Sequence, residues 1–166
     1  MTENPNPEKG MESWINRAAG PELIYKRLRP QARAPTLGSA EAVGLDVYSP
    51  EEHTIGSWDR ELIPLGLSFE IPGGYYLRIA SRSGLAVQSY LDVLAGTVDA
   101  DYKGEVKVLL GNSGPQSYQV RTGDKIAQLI LARNYKPNLV EALDSEVPIV
   151  VKAGDRGTQG FGSTGI

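Results

Sequence analysis

Five short segments carry most of the side chains that could do chemistry at neutral pH. In Gly44-Leu45-Asp46-Val47-Tyr48-Ser49, an aspartate alternates with apolar residues, so in a strand Asp46 faces away from them, either to solvent or to a polar interface. In Ser81-Arg82-Ser83-Gly84-Leu85, a strand ends just before a helical pattern. A guanidinium, a hydroxyl and backbone N–H groups at a helix start suit a phosphate, and an N-cap Ser83 beside a surface Arg82 is the plainer alternative. In Gly96–Gly104, Asp99 follows an apolar strand end close to Tyr102, which makes it a candidate carboxylate base or a turn-capping aspartate. Asp99, Asp101 and Gly104 have the spacing that opens a calcium loop, but Lys103 occupies the fifth position and Leu110 stands where the closing glutamate belongs, so that reading is rejected. In Gly123–Ile130, Gln128 is a lone amide within an apolar strand and either faces solvent or needs a buried polar partner. Arg156–Gly165 combines glycines and hydroxyls with Arg156 and Phe161, the composition of a phosphate-wrapping tail with a stacking ring. It lacks the Gly-Lys-[Ser/Thr] end of a P-loop.

The rest of the composition narrows the chemistry. The 166 residues include no cysteine and one histidine, His53, which excludes disulfides, thiol nucleophiles and zinc centres built from cysteine or several histidines. Acid or base work therefore falls to carboxylates, tyrosine or lysine. A net charge of −3 disfavours broad binding to nucleic acid or an acidic membrane surface. No apolar run approaches the ~20 residues of a spanning helix, and with no signal peptide visible an intracellular location is the default expectation.

These segments must be positioned by short elements, because 19 glycines and 11 prolines turn the backbone often. Residues 1–21 lack hydrophobic period and read as a flexible extension. Strand patterns follow at Leu23–Leu28, Ala42–Tyr48, Glu61–Ile71, Tyr75–Ala80, Val106–Leu110, Tyr118–Val120, Lys125–Ala132 and Val147–Lys152. One helix of about two turns starts near Ser83 and covers Leu85–Tyr90, while Glu51–Gly56, with His53, reads as a loop. Turn signals at Pro72–Gly74, Gly111–Pro115 and Thr122–Asp124 suggest a meander of antiparallel pairs in one all-β domain, a sandwich, jelly roll or barrel.

Taken together and in order, Ala42–Ser49, Ser81–Ala86, Gly96–Gly104, Gly123–Leu129 and Arg156–Gly165 resemble the five motifs of the trimeric dUTPases, from about Leu23 to the end of the sequence. The resemblance implies hydrolysis of dUTP to dUMP and pyrophosphate, with Asp99 as the base that activates water for attack on the α-phosphorus. It implies Tyr102 beneath the deoxyribose, uracil read by the backbone of Ala95, Gly96, Thr97 and Val98, and Gly104 closing that motif. Arg82, Ser83, Gly84 and Gln128 correspond to phosphate contacts, and Asp46 to an aspartate linked through water to Mg²⁺ on the triphosphate. Phe161 would stack on uracil while Arg156, Gly162, Ser163 and Thr164 close over the phosphates.

The implied architecture is a distorted jelly-roll-like β-barrel subunit, residues 22–152, with a closing tail, 153–166, in a homotrimer whose sites lie at the interfaces. The sequence departs from the family pattern at Ser81, where proline is common, at Thr97, and at Leu94. Two other readings compete: a dCTP deaminase or bifunctional deaminase-diphosphatase on the same fold, and a non-catalytic nucleotide-binding module. The complete C-terminal motif argues against the first, and the joint presence of Asp99, Tyr102, Arg156 and Phe161 against the second.

Overall fold

A computed structural model describes residues 20–141. Residues 20–135 form one body; residues 136–141, which carry no regular secondary structure themselves, belong to a second unit. The expected strand Val147–Lys152, the C-terminal tail and most of the N-terminal extension lie outside the described residues.

Eleven strands and one short helix make up the body: β1 (Ile24–Arg27), β2 (Thr36–Leu37), β3 (Leu45–Tyr48), β4 (His53–Ile55), β5 (Arg60–Glu70), β6 (Tyr75–Ala80), α1 (Ser83–Ser89), β7 (Leu91–Ala95), β8 (Thr97–Val98), β9 (Val106–Asn112), β10 (Tyr118–Val120) and β11 (Lys125–Arg133). The all-β reading with one short helix holds, and Tyr75–Ala80 and Tyr118–Val120 form strands with the bounds expected. The stretch around His53 is a correction. It forms β4 rather than a loop, because its backbone finds a partner distant in sequence, β10.

The strands assemble as a four-stranded sheet, β1-β5-β9-β7, a five-stranded sheet, β2-β3-β11-β6-β8, and the β10-β4 pair. Every pairing is antiparallel, but the meander is not observed, since among sheet neighbours only β2 and β3 are consecutive. The physical reason is visible at Pro72–Gly74. Gly74, at φ +79°, turns the chain out of β5 in one sheet and into β6 of the other instead of folding β6 back on β5. Such crossing between sheets is what a jelly roll requires.

Apolar residues from both sheets meet in one core. Ile63, Leu65, Leu67 and Phe69 of β5 and Val106, Val108 and Leu110 of β9 join Val47, Leu77, Ile79, Ala127 and Leu129 of the other sheet. The pairing of β5 with β9 shifts at a bulge between Pro64 and Leu67 without disturbing the alternation along β5; there Gly66 adopts φ +67° and a Cβ would lie 2.8 Å from that of Ala32.

One buried polar residue closes the loops at the end of the sandwich. Asn112 Nδ2 lies 2.8–3.2 Å from the carbonyls of Ile55, Gly56 and Gln116, and its Oδ1 accepts the Gly114 N–H at 2.9 Å. Asn112→Ala leaves those groups without their partner and is expected to cost about 1–3 kcal/mol. Urea unfolding at fixed protein concentration checks this, and an unchanged midpoint would contradict it.

Candidate active site

The five-stranded sheet builds the first cluster. β3 and β11 place Asp46 directly opposite Gln128, on the same face. Asp46 is only 3% exposed, so the solvated strand face is overturned and the polar interface is what forms. Arg82 Nε lies 3.2 Å from its Oδ1, Lys125 Nζ 2.8 Å from its Oδ2, and Gln128 Nε2 donates to Oδ1 at 3.4 Å. Arg82 is itself oriented by donating from Nη1 to the Lys125 carbonyl at 3.1 Å. Gly44 leaves room for this arrangement, since a Cβ there would come within 3.0 Å of Gln128 Cβ.

Burial raises the Asp46 carboxyl, but the hydrogen bonds from Lys125 and Gln128 and the charges of Arg82 and Lys125 outweigh it and hold the group below its ordinary value. Lys125 is the functional residue that sequence reasoning passed over. The signal was present in Gly123-Asp124-Lys125, but a bulge between Lys125 and Ala127 is what turns the lysine onto Asp46's face.

Arg82 occupies the N-cap position of α1 without a side-chain cap bond, and Ser83 is the first helical residue. The reading of Ser83 as an N-cap is therefore corrected. Ser83 and Gly84, which directly follow Arg82 in the chain, are both exposed.

A second cluster lies on the β7–β8 segment, which crosses from one sheet to the other, and on the turn after it. Ala95, Thr97, Val98, Asp99 and Tyr102 line a cleft of about 300 Å³ with Leu62, Ile79, Val106, Lys107 and Leu109. Its base is fixed by β8 pairing with β6, Val98 opposite Leu77, and by the Ile79 N–H donating to the Gly96 carbonyl at 2.7 Å. The Ile79 carbonyl leaves no space for a side chain on Gly96. Asp99 is exposed, and its carbonyl accepts the Tyr102 N–H at 3.1 Å. Tyr102 Oη donates to the Glu105 carbonyl at 2.9 Å, and a Cβ on Gly104 would lie 2.6 Å from that oxygen. Gly104 thus lets the tyrosine fold over its own turn.

The two clusters occupy different positions along β6. Gln128 pairs with Ala80 and Val98 with Leu77, three residues further along β6, so they lie ~10 Å apart along the strand. Arg156, Phe161, Gly162, Ser163 and Thr164 lie outside the described residues.

Among the described residues, no three His, Cys, Asp or Glu side chains converge to hold a metal ion. Both Asp46 oxygens are already engaged by cationic or amide donors. This donor set does not form a cage for Mg²⁺. It fits a hydrated Mg²⁺ carried on a substrate's phosphates and reached by Asp46 through water. No described helix is long and apolar enough to cross a membrane.

Residues 30–165 match the dUTPase family model. The chain is 47% identical to the deoxyuridine 5'-triphosphate nucleotidohydrolase of Yarrowia lipolytica, over 84% of this chain and 86% of that one. It is 41% identical to the human mitochondrial protein of the same name over 97% of this chain, and spans 64% of the human protein's length. Among solved structures, a mutant dUTPase of Staphylococcus bacteriophage 80alpha with dUpNHpp superposes with a TM-score of 0.78 at 25% identity, over 87% of this chain and 99% of that one. A dUTPase of phage phi11 of S. aureus, described with a structural Mg(II) ion, superposes at 0.69 and 25% identity over 75% of this chain and 100% of that one. These relatives give no support to the deaminase alternative.

The buried carboxylate generates a pH prediction. A group held below its ordinary value contributes stability that is fully present above about pH 4 and lost as pH falls through its folded value. Asp46→Asn is expected to cost about 2 kcal/mol at pH 7, less than the ~3–5 kcal/mol of a fully buried pair, because Arg82 and Lys125 are 31% and 39% exposed and can regain water. The difference from wild type should shrink below pH 4 in urea unfolding, and a constant difference would contradict the assignment. The order of the motifs, the strand frame that carries them and the relatives that share them agree: the chain belongs to the dUTPase family.

Proposed function

We propose that this chain hydrolyses dUTP to dUMP and pyrophosphate with Asp99 as the general base. The observation that carries the reading is the cleft that Asp99 and Tyr102 line together with Ala95, Thr97 and Val98. A nucleoside seated there has main-chain donors and acceptors along its base and the Tyr102 ring beside its sugar. Asp99 stands exposed at the same cleft, where a water between it and the α-phosphorus can lose its proton to the carboxylate.

Phosphoryl transfer asks a protein mainly for positioning and charge neutralisation. Arg82, Lys125 and Gln128 form a polar cradle that Asp46 holds in place, and the exposed Ser83 and Gly84 lie beside it. Mg²⁺ bound to the triphosphate would add Lewis-acid neutralisation of the phosphate charge. Asp46 would hold its hydration shell, and Arg82 would orient the phosphates.

The separation of the two clusters supports a closed homotrimer in which the β7–β8 segment of one copy faces the phosphate cradle of another. Exposed apolar side chains such as Leu62, 50% exposed, and Val87, 80% exposed, are available for such contacts. The tail carrying Arg156, Phe161, Gly162, Ser163 and Thr164 is read as the segment that closes the site over substrate. An intracellular setting, where dUTP is formed, belongs to the same reading.

Pyrophosphate release from dUTP with Mg²⁺ is the direct test. Asp99→Asn should lower kcat by about 10²–10⁴-fold while dUTP still binds, and full turnover by that variant would sink the assignment. Deleting residues 156–166 should abolish turnover yet leave a trimer in light scattering. A monomeric wild-type protein would overturn the interface site.

A further inference from the structure

Ser81 is one of the three positions at which the motifs depart from the family pattern, and its hydroxyl makes a contact at a mechanically weak point. β7 pairs with β9 in register as far as Val93 opposite Leu110, then shifts, so that Ala95 faces Leu109 and Leu94 is the extra residue. A bulge leaves one residue out of the ladder and lets the strand beyond it bend. Beyond this bulge lies Ala95–Val98, the backbone assigned above to base recognition.

Two bonds from the end of β6 flank the bulge. On the far side the Ile79 N–H donates to the Gly96 carbonyl at 2.7 Å. On the near side the Val93 N–H donates to Ser81 Oγ at 2.9 Å. Ser81 directly precedes Arg82, whose guanidinium is held by Asp46 and by the Lys125 carbonyl. The hydroxyl therefore anchors the root of the nucleoside loop to the framed end of the phosphate arm.

We infer that Ser81 is a positioning residue for nucleoside recognition, holding the Ala95–Val98 backbone in the register that reads the base through its hydrogen bond to Val93. Without the hydroxyl, Val93 loses that partner and the loop is tied to β6 only beyond the bulge, at Gly96 and through the β8 pairing. Arg82 keeps both of its own contacts, so the phosphate end of the site is unaffected. This rests on the dUTP reading above and adds a residue to it.

Threonine and valine at position 81 have the same shape and differ by one hydroxyl, so Ser81→Thr and Ser81→Val isolate the bond from packing. Steady-state pyrophosphate release from dUTP and inhibition by dUMP and by inorganic pyrophosphate are measured on the full chain. Ser81→Thr should stay near wild type. Ser81→Val should raise KM for dUTP and weaken dUMP inhibition by about 3–10-fold, the scale of one net hydrogen bond, with pyrophosphate inhibition unchanged. If the two variants behave alike, or if dUMP and pyrophosphate weaken together, the inference is overturned while the enzyme assignment stands. A wild-type chain that releases no pyrophosphate from dUTP overturns the enzyme assignment first, and the role of Ser81 with it.

Discussion

The arrangement of the site depends on one carboxylate. Asp46 is almost fully withdrawn from water, and a buried ion of that kind is tolerated only when paired and hydrogen-bonded. Its requirement is met by residues from three places in the sequence: Arg82 after β6, Lys125 at the bulged start of β11, and Gln128 in the middle of that strand. Each of these is drawn to a defined position because the alternative is an uncompensated charge. The proposed phosphate cradle is thus held in shape by its own anion, which would remove part of the reorganisation that binding a phosphate otherwise costs.

The opposite construction holds the nucleoside side. Asp99 and Tyr102 are exposed, and what is rigid there is backbone: the short β8 pair, the Ile79–Gly96 contact and the bond from Val93 to Ser81. A base read through main-chain groups needs a loop whose position is set by hydrogen bonds rather than by side-chain identity. On the proposed reading, Thr97 can therefore stand in that loop without removing the main-chain groups that would meet the base. Glycine is required at Gly96 for the same reason, since only a residue without Cβ lets the loop come this close to β6.

β6 joins the two constructions, with the cradle at one end and β8 paired further along it. A strand is stiff over this length, so the halves keep a fixed separation. A substrate that needs both halves then sets the geometry of assembly, because a strand cannot fold back on itself to bring its own ends together. Symmetric association of identical copies is the economical way to meet that demand.

Much of this was legible in the amino-acid sequence. The absence of cysteine and the single histidine left carboxylate chemistry, the alternation of apolar residues marked β3, β6, β10 and β11, and the five motifs in order pointed to the family. Local pattern was enough wherever a strand buries one face, because burial imposes period two regardless of partner. It was not enough for β4, whose partner lies more than sixty residues away, nor for the strand order, which depends on which sheet each turn delivers the chain to. Local pattern also could not show that Asp46 is buried, that Lys125 faces it, or that Ser81 holds Val93. These facts depend on cross-strand register and on bulges, and a shift of one residue would send each side chain to the opposite face. The sequence by itself determined the chemistry available and the face of each strand. Only the tertiary structure decided which charged groups meet, because pairing across a sheet joins residues that no sequence spacing brings together.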